Sequence, residues 1–198
     1  MLNKCIRCLC WRFYNIGKVE AGKKRIAEFR KGRRIHPTVT FFQPEETSVH
    51  GNVKIGEHTY LNRSMLSSGM TSKIVIGKWC AIGFNTYIFA LTHDTEKSTG
   101  PAGQRPAKEG DIIIGDYVWI GANCYIREGV TIGSNAVIGA NSVVTRDIPE
   151  NAIAAGVPAK VIRFKQSYFP QRSGPGSVTS TDHPADLNRP DREKTDGN

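Results

Sequence analysis

From residue 49 to residue 149 the chain repeats itself every six residues, and that period decides what it can fold into. Aliphatic side chains stand at Val49, Ile55 and Leu61, at Ile76, Ile82 and Ile88, and then at Ile114, Ile120, Ile126, Ile132, Ile138 and Val144. Four residues after each comes a mostly small or β-branched one, among them Val53, Thr59, Met65, Cys80, Thr86, Thr92, Val118, Cys124, Ala136 and Ser142. Glycine follows the aliphatic position at 56, 77, 83, 115, 121, 133 and 139. A helix is excluded, because a period of six does not keep one helical face buried. On a strand, the small position of one hexad and the aliphatic position of the next are two residues apart and face the same side. Val118/Ile120, Cys124/Ile126, Val130/Ile132 and Ala136/Ile138 are such inward pairs. Gly-x-Asn follows at 121–123, 133–135 and 139–141, where residues that tolerate left-handed backbone turn the chain. A short strand, a corner and another short strand every six residues make a coiled β-solenoid.

The hexads come in groups over 49–66, 76–93 and 114–149. If three hexads close one triangular coil, the class is all-β, with about four coils, and both insertions leave from one corner. The second insertion, 94–113, is mostly Gly, Pro and charge and reads as a protruding loop, the kind of segment that carries function on a rigid scaffold. Residues 1–48 read as a basic arm with a possible short helix over 18–31, 150–165 as a cap on the last coil, and 166–198 as a disordered tail too polar to bury itself. The whole net charge of +9 sits in residues 1–34, so the repeat domain is neutral and offers no basic face for nucleic acid. No apolar run approaches the roughly 20 residues of a membrane span, and the charged N-terminus is a poor secretory signal, so a cytoplasmic location is expected. The arm's cations, with Trp11, Phe13 and Tyr14, could instead lie on an anionic membrane surface. Five cysteines, Cys5, Cys8 and Cys10 in the arm and Cys80 and Cys124 in the repeats, do not suggest a disulfide framework.

LTHD (91–94), IGDYVWIGANC (114–124), GVTIGSNAVIGANSVVTRDIP (129–149) and AAGVPAKVIR (154–163) together resemble the hexapeptide-repeat acyltransferases, closest to the maltose and galactoside acetyltransferases and the polysaccharide O-acetyltransferases. The resemblance implies a left-handed parallel β-helix, a hand that general crossover rules would not supply. It also implies a homotrimer with sites between subunits, and direct transfer of acetyl from acetyl-CoA to a hydroxyl of a sugar or polysaccharide precursor.

His93 ends a hexad at the stem of the long loop and so points outward. An imidazole, titrating near about 6.5 in water, can take a proton from an acceptor hydroxyl, and the resemblance gives this histidine that role. Asp94 follows it on the acceptor side, although neighbours on an extended chain point to opposite sides and a backbone carbonyl could orient the imidazole equally well. Asn62, in YLN, aligns with an acceptor-binding asparagine, at a spacing that departs by one residue from the pattern; it reads equally well as a corner residue. Trp119 has no core to fill and reads as an apolar wall near the acyl chain, or as packing against the loop. For CoA the resemblance implies the backbone of Ala122, Ala140 and Thr145, and the cations Arg146, Lys160 and Arg163 for its phosphates.

A zinc hydratase on the same fold would need three convergent histidines, and His50, His58 and His93 lack that spacing, so no metal is expected. The alternatives are a xenobiotic acetyltransferase, which shares the histidine-loop layout, and a non-catalytic β-helix scaffold.

Overall fold

The computed structural model describes residues 18–97 and 105–166. Cys5, Cys8, Cys10, Trp11, Phe13 and Tyr14 of the arm, the loop tip at 98–104 and the tail beyond 166 lie outside the described residues. The repeat winds into three parallel sheets, one per face of a prism. The first face holds Arg34–Ile35, Val53–Ile55, Ile74–Ile76, Ile112–Ile114 and Thr131–Ile132. The second holds Thr40–Phe41, Tyr60–Leu61, Ala81–Ile82, Trp119–Ile120, Val137–Ile138 and Ala152–Gly156. The third holds Ser48–His50, Ser64–Ser67, Thr86–Phe89, Tyr125–Ile126 and Val143–Val144.

Register makes the aliphatic hexad position into three ladders. Ile55, Ile76, Ile114 and Ile132 stack on the first face. Leu61, Ile82, Ile120 and Ile138 stack on the second, and Leu66, Ile88, Ile126 and Val144 on the third. All are at most 1 % exposed. Each such side chain contributes about 1.5–3 kcal/mol over leaving it in water. A slip of one residue would turn a whole strand's side chains outward, so the ladders fix the stacking.

The small hexad position has a second job, which its volume does not reveal. Thr59 Oγ1 donates to the carbonyl of Gly77 at 2.8 Å, Cys80 Sγ to Gly115 at 3.1 Å and Cys124 Sγ to Gly139 at 3.2 Å. These donors satisfy corner carbonyls that the buried interior would otherwise orphan. Burial pushes both thiols up from their ordinary titration range, which keeps them protonated and unreactive. At the corners Asn85, Asn123, Asn135, Asn141 and Asn151 all have positive φ. Their amides form ladders of their own: Asn85 donates to Asn123 at 3.0 Å, Asn123 to Asn141 at 3.2 Å and Asn135 to Asn151 at 2.7 Å.

The solenoid has about five turns rather than four, because its first turn begins at Arg34, inside the expected arm. Ile35 and Phe41 face inward six residues apart, but a short 3-10 helix, Pro44–Glu46, delays the next inward aliphatic residue to Val49 and hides the period. Met65 also departs from the pattern. Ser64 and Leu66 point inward and Met65 outward, because this corner is one residue shorter. The long loop ends earlier than expected: Ile112 is fully buried and pairs with Ile74, each completing an inward pair two residues before the aliphatic position. Both insertions do leave from one corner, between the third and first faces.

Residues 18–30 form the expected helix, and it plugs the open end of the solenoid. Phe29, 4 % exposed, packs on Phe41 with ring centroids 5.2 Å apart. Arg30 donates to the carbonyls of Pro37 (2.8 Å) and Val39 (3.2 Å), and Arg33 to that of Gly51 (3.1 Å). Part of the arm's positive charge thus serves to cap the first coil's backbone. At the other end Ala159–Phe164 folds back antiparallel on Ala152–Gly156, and the Lys165 ammonium reaches Asn135 Oδ1. No described helix is long and apolar enough to cross a membrane.

Candidate active site

The outward side of the third face is where the chain collects aromatic residues instead of the usual polar ones. His50, Ser67 and Phe89 lie in one register row, and Tyr87 sits opposite Tyr125. Phe89 packs edge-on against both Tyr87 and Tyr125, each with centroids 5.9 Å away. Such pairs stiffen a wall beyond what their burial contributes. Burial raises the Tyr125 phenol above its ordinary range, and the charge of Glu128 adds to the shift.

After Phe89 the chain leaves the prism as Leu91–His93 and returns as Ala107–Glu109, an antiparallel hairpin with His93 opposite Ala107 and Leu91 opposite Glu109. Hairpin and face enclose a cavity of about 420 Å³, lined by His93, His50, Arg105, Met65, Phe89 and Tyr125 among others. His93 is exposed, and its ring makes no hydrogen bond among the described residues. That geometry leaves both ring nitrogens free for a ligand.

The hairpin is held by Glu109, which the sequence did not single out. Its carboxylate accepts the backbone N–H of Met70 (3.1 Å), Thr71 (2.8 Å) and Ser72 (2.8 Å), and the Thr71 hydroxyl (2.7 Å). These partners belong to the first insertion, so one carboxylate ties the two insertions together. The Thr71 hydroxyl, with these amides, lowers the Glu109 carboxyl from 4.5 to about 2. A folded-state value below the unfolded one stabilises fully above about pH 4.5, and the benefit is lost as pH falls towards 2. Glu109→Gln is therefore expected to melt below wild type at neutral pH, with the gap in Tm closing across that acid window. A gap as wide at about pH 3 as at about pH 7 would show that charge is not what holds the clamp.

The other sequence candidates do not all converge on this cavity. Asp94 faces away from His93: one oxygen accepts the Glu96 N–H at 3.0 Å and the other lies 3.4 Å from the Lys97 ammonium. Asn62 sits at the corner between the second and third faces and donates to the Ile82 carbonyl at 3.1 Å, the behaviour of a corner residue. Ala122 and Ala140 stack at the same corner one coil apart, where the Asn141 N–H donates to the Ala122 carbonyl at 2.9 Å. Trp119 stands outward on the second face, 57 % exposed. Its register row continues through Val137 and Ile153 to Arg163, and Lys160 lies on the same final strand. Thr145 and Arg146 follow the last strand of the third face. His93 and Trp119 thus occupy different faces, and one subunit does not bring them together. Phe89 and Tyr125 could have been found in the sequence, since they put aromatic rings at outward hexad positions.

Among the described residues no group of His, Cys, Asp and Glu has the arrangement to hold a metal.

A family profile described as "Bacterial transferase hexapeptide (six repeats)" matches residues 111–146. The chain is 38 % identical over 147 residues to galactoside O-acetyltransferase of Escherichia coli K12, which covers 71 % of this chain and 65 % of that protein. It spans between 56 % and 65 % of the length of this and two other curated relatives that it matches. A hexapeptide-repeat acetyltransferase of Vibrio cholerae, solved with acetyl coenzyme A, superposes with a TM-score of 0.58 at 31 % identity, over 72 % of this chain and 76 % of that one. A galactoside acetyltransferase in complex with coenzyme A gives 0.55 at 32 % identity, over 72 % and 70 %. Hexad ladders, hairpin and sequence agree: the chain belongs to the hexapeptide-repeat acetyltransferase family.

Proposed function

We propose that the protein transfers acetyl from acetyl-CoA to a hydroxyl of a saccharide, with His93 as the general base. The observation that carries this reading is an exposed, uncommitted imidazole at the mouth of an aromatic-walled cavity. A ring nitrogen of His93 takes the hydroxyl proton as the oxygen attacks the thioester carbonyl. The tetrahedral intermediate collapses with loss of the CoA thiolate, which recovers the proton from the imidazolium. No acyl-enzyme forms. In this reading the Ala122 and Ala140 amides supply donors for the oxyanion and pantetheine, and Thr145, Arg146, Lys160 and Arg163 hold the CoA body and its phosphates.

This reading requires a second copy of the chain. The second face, with Trp119, Lys160 and Arg163, and the third-face cavity, with His93, point apart on one prism. A homotrimer that lays the second face of one subunit beside the third face of the next assembles the site. The exposed aromatics on both faces, Tyr60 and Trp119 on one and Tyr87 on the other, support such a contact.

The test is release of free thiol from acetyl-CoA against a panel of saccharides that includes galactosides. Release that depends on one glycan is expected. No release with any saccharide, together with no binding of acetyl-CoA, would leave a non-catalytic scaffold. Release only with chloramphenicol-like alcohols would move the acceptor to xenobiotics.

A further inference from the structure

The charge of the cavity is unbalanced. Arg105 and His50 line it together with His93, and no carboxylate does. Arg105 is exposed, and among the described residues it has neither a hydrogen bond nor an ion pair. The nearby acids are each committed elsewhere. Asp94 is turned to Lys97 and to the backbone of its own loop. Glu109 is consumed by the turn at 70–72. Glu128, its side chain only 3 % exposed, pairs with Arg127 at 2.9 Å and faces Lys108 at 4.0 Å. Nothing described neutralises Arg105 from within the chain.

An unpaired guanidinium beside an apolar wall is an arrangement that gains by meeting a ligand anion, because the planar fork matches a carboxylate or phosphate with two parallel hydrogen bonds. Phe89 and Tyr125, which line the same cavity, form a wall suited to the apolar face of a sugar ring. A volume of about 420 Å³ lies in the range that small-molecule sites occupy. Resting on the acetyl-transfer reading, we infer that the acceptor is an anionic saccharide, whose carboxylate or phosphate is held by Arg105 and His50 while its ring lies on Phe89 and Tyr125 and one hydroxyl faces His93.

The test uses the full chain and three acceptors of one ring series: galactose, galacturonate and galactose 6-phosphate. Equilibrium binding of each is measured first, then thiol release from acetyl-CoA. Either anion is expected to bind at least about tenfold more tightly than galactose, with a preference that fades as salt rises. The two anions distinguish a carboxylate site from a phosphate site. Arg105→Gln is expected to cut the anion-to-neutral ratio by about tenfold, with Arg105→Lys intermediate because it keeps the charge but not the fork. His50→Gln should lower the same ratio. An anion that binds no better than galactose, or a ratio indifferent to Arg105, overturns the inference. Absence of thiol release with every acceptor would instead overturn the acetyl-transfer reading, and the binding ratios would still decide whether the cavity selects an anion.

Discussion

Replacing His93 by alanine is expected to lower kcat for acetyl transfer by roughly two to four orders of magnitude, the usual worth of a positioned general base. The same change should leave Tm nearly where it was. His93 is exposed and makes no hydrogen bond among the described residues, and surface substitutions of that kind usually stay within about 0.5 kcal/mol. The hairpin that carries it is held by other means, through strand pairing and the Glu109 clamp. KM for acetyl-CoA should also change little, because none of the candidate CoA groups lines the cavity beside His93. The pH profile supplies a second readout. Wild-type kcat/KM should rise with loss of one proton from the free enzyme, and that limb should vanish in the variant. Turnover that survives in His93→Ala would remove the histidine from the chemistry. A matching fall in Tm would make the loss one of folding.

How much could be read from the residues differs between core and site, for physical reasons. The ladders were legible because one buried column needs the same residue type at every coil, and Ile76, Ile114 and Ile132 announce it. The first turn was not, because Phe41 and Val49 are separated by a 3-10 helix that breaks the count without breaking the coil. Met65 misled because a corner shortened by one residue shifts the inward pair to Ser64 and Leu66. The hydrogen bonds of Thr59 and Cys80 were hidden for another reason: a small residue is explained by lack of space before anyone asks about its donor.

His93 could be found because it borders a long loop, a local feature. The rest of its cavity could not. His50, Phe89 and Tyr125 come from three different turns and meet only when coils stack. Glu109 reaches partners 37 to 39 residues away, and a single glutamate in a polar loop gives no sign of that. Asn62 shows the converse. Its alignment suggested a ligand contact, and its amide is engaged with the Ile82 carbonyl of the next coil.

Gly121→Ala should be among the most destabilising single-methyl changes in the chain. The glycine after each aliphatic residue is not there for a left-handed backbone; among the described glycines, positive φ belongs to Gly32, Gly51, Gly129 and Gly156. It is there because the next coil passes too close. A Cβ on Gly121 would lie 2.6 Å from the backbone nitrogen of Ala140 and 2.9 Å from its Cα. A Cβ on Gly83 would meet the backbone of Gly121 and Ala122 in the same way, at 2.6 and 2.7 Å. Backbone cannot rotate aside as a side chain can. The coils must part at the corner, where the Gly121 N–H donates to Ile138 at 2.8 Å and the Asn141 N–H to Ala122 at 2.9 Å. Overpacking costs about 1–3 kcal/mol when side chains can adjust, and with backbone on the far side the upper end is expected. For a chain of this length that is a fall of roughly 6–12 °C in Tm. Gly129→Ala provides the contrast, with φ of +78° and nothing within 4 Å of its Cβ. It should cost about 1–2 kcal/mol from conformation alone, and Gly129→Asn should recover much of that, since Asn tolerates left-handed backbone. Gly121→Asn should recover nothing, because it carries the same Cβ. Melting all four variants at one protein concentration separates the two causes. A Gly121→Ala protein that melts with wild type would mean the coils can part freely at this corner, and close approach would no longer explain the glycine of the hexad.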